Sequence, residues 1–347
     1  MNRHAVSLLK VAIGLALLVW LYYLLEDPAE TWQNIVNANG ALLALGALMY
    51  TGAVALSGLK WGILLRAIGI PVPIDRLLTY QWIAEFFNNF SPAQVGGDVM
   101  RGYSLAIDTQ RRADAAASVL IDRFIGLTVF MIAAAVASSL MILWGYPIMG
   151  VAEGQDTFSY MRLIALGSLG ASLLLIGAIV ALLSRRLKEW AEMVMVKLPL
   201  IHRLTPIWHQ LADAFNAYRH QKQAIFVSAV SSGLIVILTS INIWLISSAI
   251  SPNSISLMAV LTINPIIVFV GLALPLTPGG LGVRQAAFAL SFGLVGVDAE
   301  LGIKVGLLQQ IIGYLVSLPG GLLWMRGRQS ISPVMKQNQM AHTNPKV

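Results

Sequence analysis

The chain is organised by apolar runs of about twenty residues, with most of its charge confined to the stretches between them. A helix rises about 1.5 Å per residue, so such a run reaches about 30 Å, the thickness of a bilayer's hydrocarbon core. Inside hydrocarbon, backbone amides and carbonyls have to be satisfied without water, which only helices and closed barrels achieve. A barrel is disfavoured, because no segment joins period-two alternation to regular turn residues. The expectation is an all-α polytopic membrane protein with six full spans, near 7–25, 41–59, 115–143, 162–183, 224–250 and 301–325. Charged residues make up 11% of the chain, well below the roughly 25% of a soluble domain.

The formal charge of +7 does not form a phosphate-binding face for nucleic acid. Arg3 and Lys10 precede the first run, Lys60 to Arg112 carry six basic residues, Arg185 to Lys222 carry seven, and Arg326 and Arg328 follow the last run. The alternate loops hold Glu26, Asp27, Glu30, Glu153, Asp156, Asp298 and Glu300. Basic loops stay in the cytoplasm, so both termini are expected there, in a cell membrane. Arg3 and Lys10 followed by Val11–Leu25 look like a signal peptide, but Glu26-Asp27-Pro28 follows without a small-residue cleavage pattern, and the run reads as an uncleaved span. The chain has no cysteine, which removes disulfides, thiolate catalysis and cysteine-held metals.

Two apolar stretches do not read as single spans. Leu77–Ala106 has basic residues at both ends, Arg76 and Arg111-Arg112, and its stripe Leu78, Trp82, Phe86, Phe90 has helical spacing. Ser91-Pro92 then stops the helix, because proline lacks the amide donor and clashes with the preceding turn. A re-entrant hairpin from the cytoplasmic side is the economical reading. The stretch 256–297 is broken at Pro275-Leu276-Thr277-Pro278-Gly279-Gly280, and reads either as a second hairpin from the opposite face or as two spans.

Two halves emerge, near 1–150 and 160–326, within one domain of residues 1–330. Leu120-Ile121-Asp122-Arg123-Phe124-Ile125-Gly126 parallels Leu307-Leu308-Gln309-Gln310-Ile311-Ile312-Gly313, and Ser91-Pro92 parallels Thr277-Pro278, at offsets of 187 and 186 residues. Inverted repeats with broken helices are how many secondary transporters are built, with the substrate site at the repeat interface. Between the halves, 186–222 is basic and amphipathic, with a stripe Ile207, Leu211, Phe215, and is expected on the cytoplasmic membrane surface. The polar tail 331–347 is expected to be disordered.

A charged side chain at mid-bilayer costs about 2.5–3.5 kcal/mol on insertion scales, so each needs a reason. Asp122 and Arg123 lie in the third span, about 100° apart around the helix, and each needs a partner elsewhere. The first hairpin offers Asp98 and Arg101, and an Asp98–Arg123 or Arg101–Asp122 pair would pin it to that span. The plainer alternative has Arg123 snorkelling and Asp122 capping locally. Gly96-Gly97 before Asp98, and Gly279-Gly280 before Arg284, place glycines and an arginine at helix starts, an arrangement suited to an anion such as a lipid phosphate. Glu85, Asn88 and Asn89 read as a polar path or as the wall of a watery vestibule. Lys60 and Lys304 read as snorkelling from span ends, and Gln309-Gln310 either as interhelical hydrogen-bonding groups or as substrate contacts. The five histidines lack ligand spacing and no P-loop is present, so no metal, cofactor or ATP-driven pumping is expected.

Phe90-Ser91-Pro92 leading to Gly96-Gly97-Asp98-Val99-Met100-Arg101, then Ala115 through Leu127, then Pro278-Gly279-Gly280-Leu281-Gly282-Val283-Arg284 resemble the lysylphosphatidylglycerol synthase transmembrane, flippase-like family. The resemblance runs from the first span to about residue 325. It implies a membrane domain that moves a modified phospholipid between leaflets, here without the aminoacyl-transferase domain. Family members often carry Glu after the Val-Arg of the last motif, where this chain has Gln285. The expected activity is translocation of a phospholipid or lipid-phosphate-linked substrate, with no catalytic residue. Arg101, Arg123 and Arg284 would hold phosphate, Asp98 and Asp122 would position them, and Gly96, Gly97, Gly279 and Gly280 would allow close approach, with Glu85 and Gln285 beside them. The alternatives are a transferase using a lipid-phosphate sugar donor, with Asp98 or Asp122 as base, and a scaffold for an envelope enzyme. Membrane lipids are the expected partners, together with a lipid-modifying enzyme or glycosyltransferase.

Overall fold

The structure, a computed structural model, describes residues 28–89, 95–144, 156–183, 214–273, 277 and 279–342. Every regular element among them is helical: α1 (Pro28–Val36), α2 (Gly40–Ala67), α3 (Ile74–Asn88), α4 (Gly96–Thr109), α5 (Arg112–Leu143), α6 (Asp156–Leu183), α7 (Lys222–Ile250), α8 (Leu257–Ala273), α9 (Val283–Leu294) and α10 (Ala299–His342). Five of these are long and apolar enough to cross a membrane: α2, α5, α6 over Met161–Val180, α7, and α10 over Ala299–Arg326. The expected span at 7–25 and most of the 186–222 segment lie outside the described residues. Its end, with Phe215 and Tyr218, is buried against α2 and α5. α10 runs to His342, where the sequence suggests disorder from 331.

Local chemistry sets the helix ends. The Asn39 side chain accepts hydrogen bonds from the Ala41 and Leu42 amides and starts α2, satisfying donors that a helix N-terminus leaves open. α2 stops at Gly69, whose φ of 73° suits glycine. Pro71 and Pro73 then delay the next helix until Ile74. α4 ends where Gln110 turns left-handed at φ 58°.

The broken stretches are short arms. α3, α4, α8 and α9 have 15, 14, 17 and 12 residues. At 1.5 Å per residue they reach about 18–26 Å, short of the roughly 30 Å hydrocarbon core. In the 256–297 stretch the described helices are α8 and α9, which lie on either side of the break at 275–280.

Packing is reciprocal between the halves. α2 lies along α7, its counterpart. α3, the first arm of one hairpin, packs on α10, and α8, the first arm of the other, packs on α5. The α3–α10 crossing is close enough that a Cβ on Gly320 would strike the Trp82 carbonyl, and one on Gly321 would meet the Phe86 ring at 2.7 Å. Small residues permit such backbone approach where lipid supplies no hydrophobic drive between helices. α6 packs mainly on α5, leaving Leu163, Leu166 and Leu174 at 69%, 68% and 77% exposure. A leucine face of this kind is covered by lipid in a membrane protein and would be an aggregation surface in water.

Candidate functional site

One chain of ion pairs joins α2, α4 and α5. Lys60 Nζ lies 2.9 Å from Asp122 Oδ1, and Arg101 Nη2 lies 2.9 Å from Asp122 Oδ2 and 3.0 Å from Asp98 Oδ1. Arg123 closes the series by donating from Nε to Asp98 Oδ2. Lys60, Arg101 and Asp122 are at most 5% exposed. Lys60 also donates to Ser232 Oγ on α7 at 3.2 Å, tying the cluster to the second half. The Arg101 guanidinium stands 5.2 Å from the Trp61 ring centre, within cation–π range. The indole donates in turn to Ser118 Oγ at 3.1 Å. Ions withdrawn from water this far persist only when their partners are in place.

The α5 residues arise from simple geometry. Asp122 and Arg123 point in different directions around the helix, so one meets Lys60 and Arg101 while the other meets Asp98. Asp98 and Arg101 stand a turn apart on α4 and share a face, which lets Arg101 bridge two carboxylates.

A second polar group belongs to the other side of the same cavity. Tyr50 on α2 donates its hydroxyl to Glu85 Oε1 on α3 at 2.6 Å, and Arg284 at the start of α9 lines the same cavity. These residues and the ion-pair chain line one cavity of about 230 Å³, whose wall draws on both halves and includes Gln81, Asn88, Asn89, Thr239, Asn264 and Gln309. Phe130, Ile235, Val268 and Leu272 supply its apolar side. Among the described residues no three His, Cys, Asp or Glu side chains converge as metal ligands.

The second half repeats the ionic contacts with amides. Gln285 and Gln310 stand 187 positions after Asp98 and Arg123, and the Gln285 Nε2 donates to Gln310 Oε1. Gln309, at the same offset from Asp122, accepts from Asn242 Nδ2 on α7 at 2.5 Å, as Asp122 pairs with Lys60 on α2. One half thus carries charges where the other carries carboxamides.

Of the residues singled out in the sequence, Asp98, Arg101, Asp122, Arg123, Arg284 and Glu85 meet in the cavity wall, and both suggested ion pairs are present together. Five others lie elsewhere among the described residues. Gln285 is 1% exposed and stands outside the wall, where its Oε1 accepts from the Gly282 amide at 2.8 Å and caps α9. Gly96, Gly97, Gly279 and Gly280 are likewise not in the wall. The close approach at Gly97 is to the Ala84 carbonyl, and that at Gly279 is to the Asn89 carbonyl, so these glycines pack protein on protein. Lys60 does not snorkel, because α2 continues about two turns beyond it to Ala67. Lys304 pairs with Glu300 at 3.0 Å. Tyr50, Thr239 and Asn264 had not been singled out; a lone asparagine or hydroxyl in an apolar run was the available signal.

The fold and cavity define a polytopic helical membrane protein with two broken-helix hairpins meeting at an internal charged site. The chain belongs to the family described as the lysylphosphatidylglycerol synthase TM region, whose model matches residues 7–320. Two UPF0104 membrane proteins of Methanothermobacter thermautotrophicus are 21% and 24% identical to it, each over 90% of this chain and over 92% and 90% of their own lengths. A UPF0104 membrane protein of Pyrococcus horikoshii is 21% identical over 95% of this chain and 98% of its own.

Proposed function

We propose that the protein moves a polar lipid between leaflets by passing its phosphate-bearing headgroup through the cavity while the acyl chains stay in the bilayer. The carrying observation is the convergence of Lys60, Arg101, Arg123 and Arg284 on one cavity between the two halves. A volume of about 230 Å³ lies below the roughly 300–1,000 Å³ of drug-sized ligand pockets, so it suits a headgroup and not a whole lipid. Arg123 and Arg284 contact the phosphate, while Asp98 and Asp122 hold the neighbouring cations in place. The two halves insert in opposite senses and rock about the α2–α7 contact. Both termini lie in the cytoplasm and the membrane is the cell membrane, as the basic loops favour. A lipid-modifying enzyme or glycosyltransferase supplies or consumes the lipid.

The test is leaflet exchange of labelled phospholipid in proteoliposomes. Wild-type protein accelerates exchange, and Arg123→Ala and Arg284→Ala, purified as monodisperse folded proteins, lose that acceleration. Exchange unchanged in both variants rejects the site. A covalent product formed from a lipid-phosphate sugar donor, with no exchange, replaces translocation by the transferase reading.

A further inference from the structure

Accepting that the cavity takes a lipid headgroup, we propose that it selects monoanionic phosphodiesters whose headgroups are uncharged and hydroxyl-rich, and discriminates against amine-bearing headgroups and phosphomonoesters. The argument begins with formal charge. Among the described residues the wall holds four cations, Lys60, Arg101, Arg123 and Arg284, and three carboxylates, Asp98, Asp122 and Glu85. One positive charge is in excess. Burying an uncompensated charge is costly, and one phosphodiester anion cancels it. A phosphomonoester carries about −1.5 to −2 at neutral pH and overshoots.

The pairing pattern bears on the rest of the headgroup. Asp122 is engaged by Lys60 and Arg101, and Asp98 by Arg101 and Arg123. Glu85 accepts from Tyr50. An incoming ammonium has to compete for a carboxylate already bound, and it restores the surplus charge that the phosphate removed. The neutral part of the wall is rich in amides and hydroxyls: Ser57, Gln81, Asn88, Thr239 and Asn264. Gln81 Oε1 is a buried acceptor without a hydrogen-bond partner in the structure. Amides of this kind pair with the hydroxyls of a glycerol or a sugar, which both give and accept hydrogen bonds. The Arg123 side chain is 33% exposed, so its guanidinium is open to the phosphate, whereas Arg101 is buried.

Two lipid sources share this chemistry, glycerol phosphodiesters and isoprenoid phosphosugars. The full-length protein is delipidated in detergent, and affinity is measured by native mass spectrometry and by thermal shift. The probes, matched in chain length within each class, are phosphatidylglycerol, phosphatidylethanolamine, an aminoacyl ester of phosphatidylglycerol, phosphatidic acid and an isoprenoid phosphohexose. Phosphatidylglycerol or the phosphohexose, whichever is the source, binds at least about tenfold tighter than the amine-bearing lipids and the monoester. The preference collapses in Arg123→Gln and in Arg284→Gln. Equal or tighter binding of phosphatidylethanolamine, the aminoacyl ester or phosphatidic acid overturns the proposal. Selective binding without leaflet exchange keeps the proposal and rejects translocation, whereas exchange without headgroup preference does the reverse.

Discussion

Lys60 and Asp122, 2.9 Å apart and both buried, bridge α2 and α5 through the middle of two apolar helices. In the second half, Gln309, 187 positions after Asp122, accepts from Asn242 and bridges α7 and α10 without charge. The same contact is thus made ionically on one side of the molecule and by carboxamides on the other, which fixes what substitutions at these sites should do.

Asp122 compensates two cations and Lys60 only one carboxylate that Arg101 also serves. Removing one partner of a buried pair costs about 3–5 kcal/mol when it strands a charge. Asp122→Gln should therefore fall near the upper end of that range, while Lys60→Asn costs distinctly less. The double variant, which copies Asn242–Gln309, should melt above Asp122→Gln alone. Thermal unfolding of detergent-purified protein measures all three, and a double variant no better than Asp122→Gln contradicts the pairing.

The Asp98–Arg123 pair has its own neutral template in Gln285–Gln310. Asp98→Gln leaves Arg101 and Arg123 facing each other with less compensation, and Arg123→Gln frees Asp98 toward Arg101. Converting both to glutamine should recover stability relative to the sum of the singles, with a coupling of about 0.5–3 kcal/mol. A double-mutant cycle on the melting transition reads this directly, and additive losses are the contrary result.

At Gly320 the backbone of α10 meets that of α3 with no room for a side chain. Gly320→Val should separate the two helices and break the hydrogen bond from Trp82 Nε1 to the Val316 carbonyl, now 3.1 Å. Overpacking of this sort costs about 1–3 kcal/mol. Gly313→Ala, about two turns earlier in α10 with open space around it, should be close to neutral. Comparing the melting points of the two variants isolates the α3–α10 contact from any general effect of replacing glycine.

Because the natural chain has no cysteine, single cysteines can report topology in an otherwise unaltered protein. Cysteine at Arg76 or Arg112 should react with an impermeant maleimide only from the cytoplasmic face, and cysteine at Asp298 only from the opposite face. Labelling of all three from one side of sealed vesicles rejects the opposed insertion of the two hairpins.

Much of the architecture was legible because hydrocarbon leaves few options. Span lengths, the two helix breaks and the need for partners at Asp122 and Arg123 all follow from local polarity and from proline and glycine. The two pairings suggested for the first hairpin turned out to coexist, since Arg101 reaches two carboxylates at once. Lys60 was misplaced because its apolar run ends at 59, while the helix itself continues to Ala67. The glycines are harder to interpret for a different reason. A glycine marks close approach but does not say to what, and here Gly97 and Gly279 face protein backbone rather than a ligand.

Hydrophobic length and charge placement act over one helix at a time, so the amino-acid sequence alone determined that this is a multi-span helical membrane protein with two interrupted segments. Which side chains share the cavity depends on the rotation and register of helices far apart in the chain. That is why only the tertiary structure decided that Tyr50, Glu85 and Arg284 meet, that Gln285 caps α9 instead of facing the cavity, and that one half is charged where the other is amide.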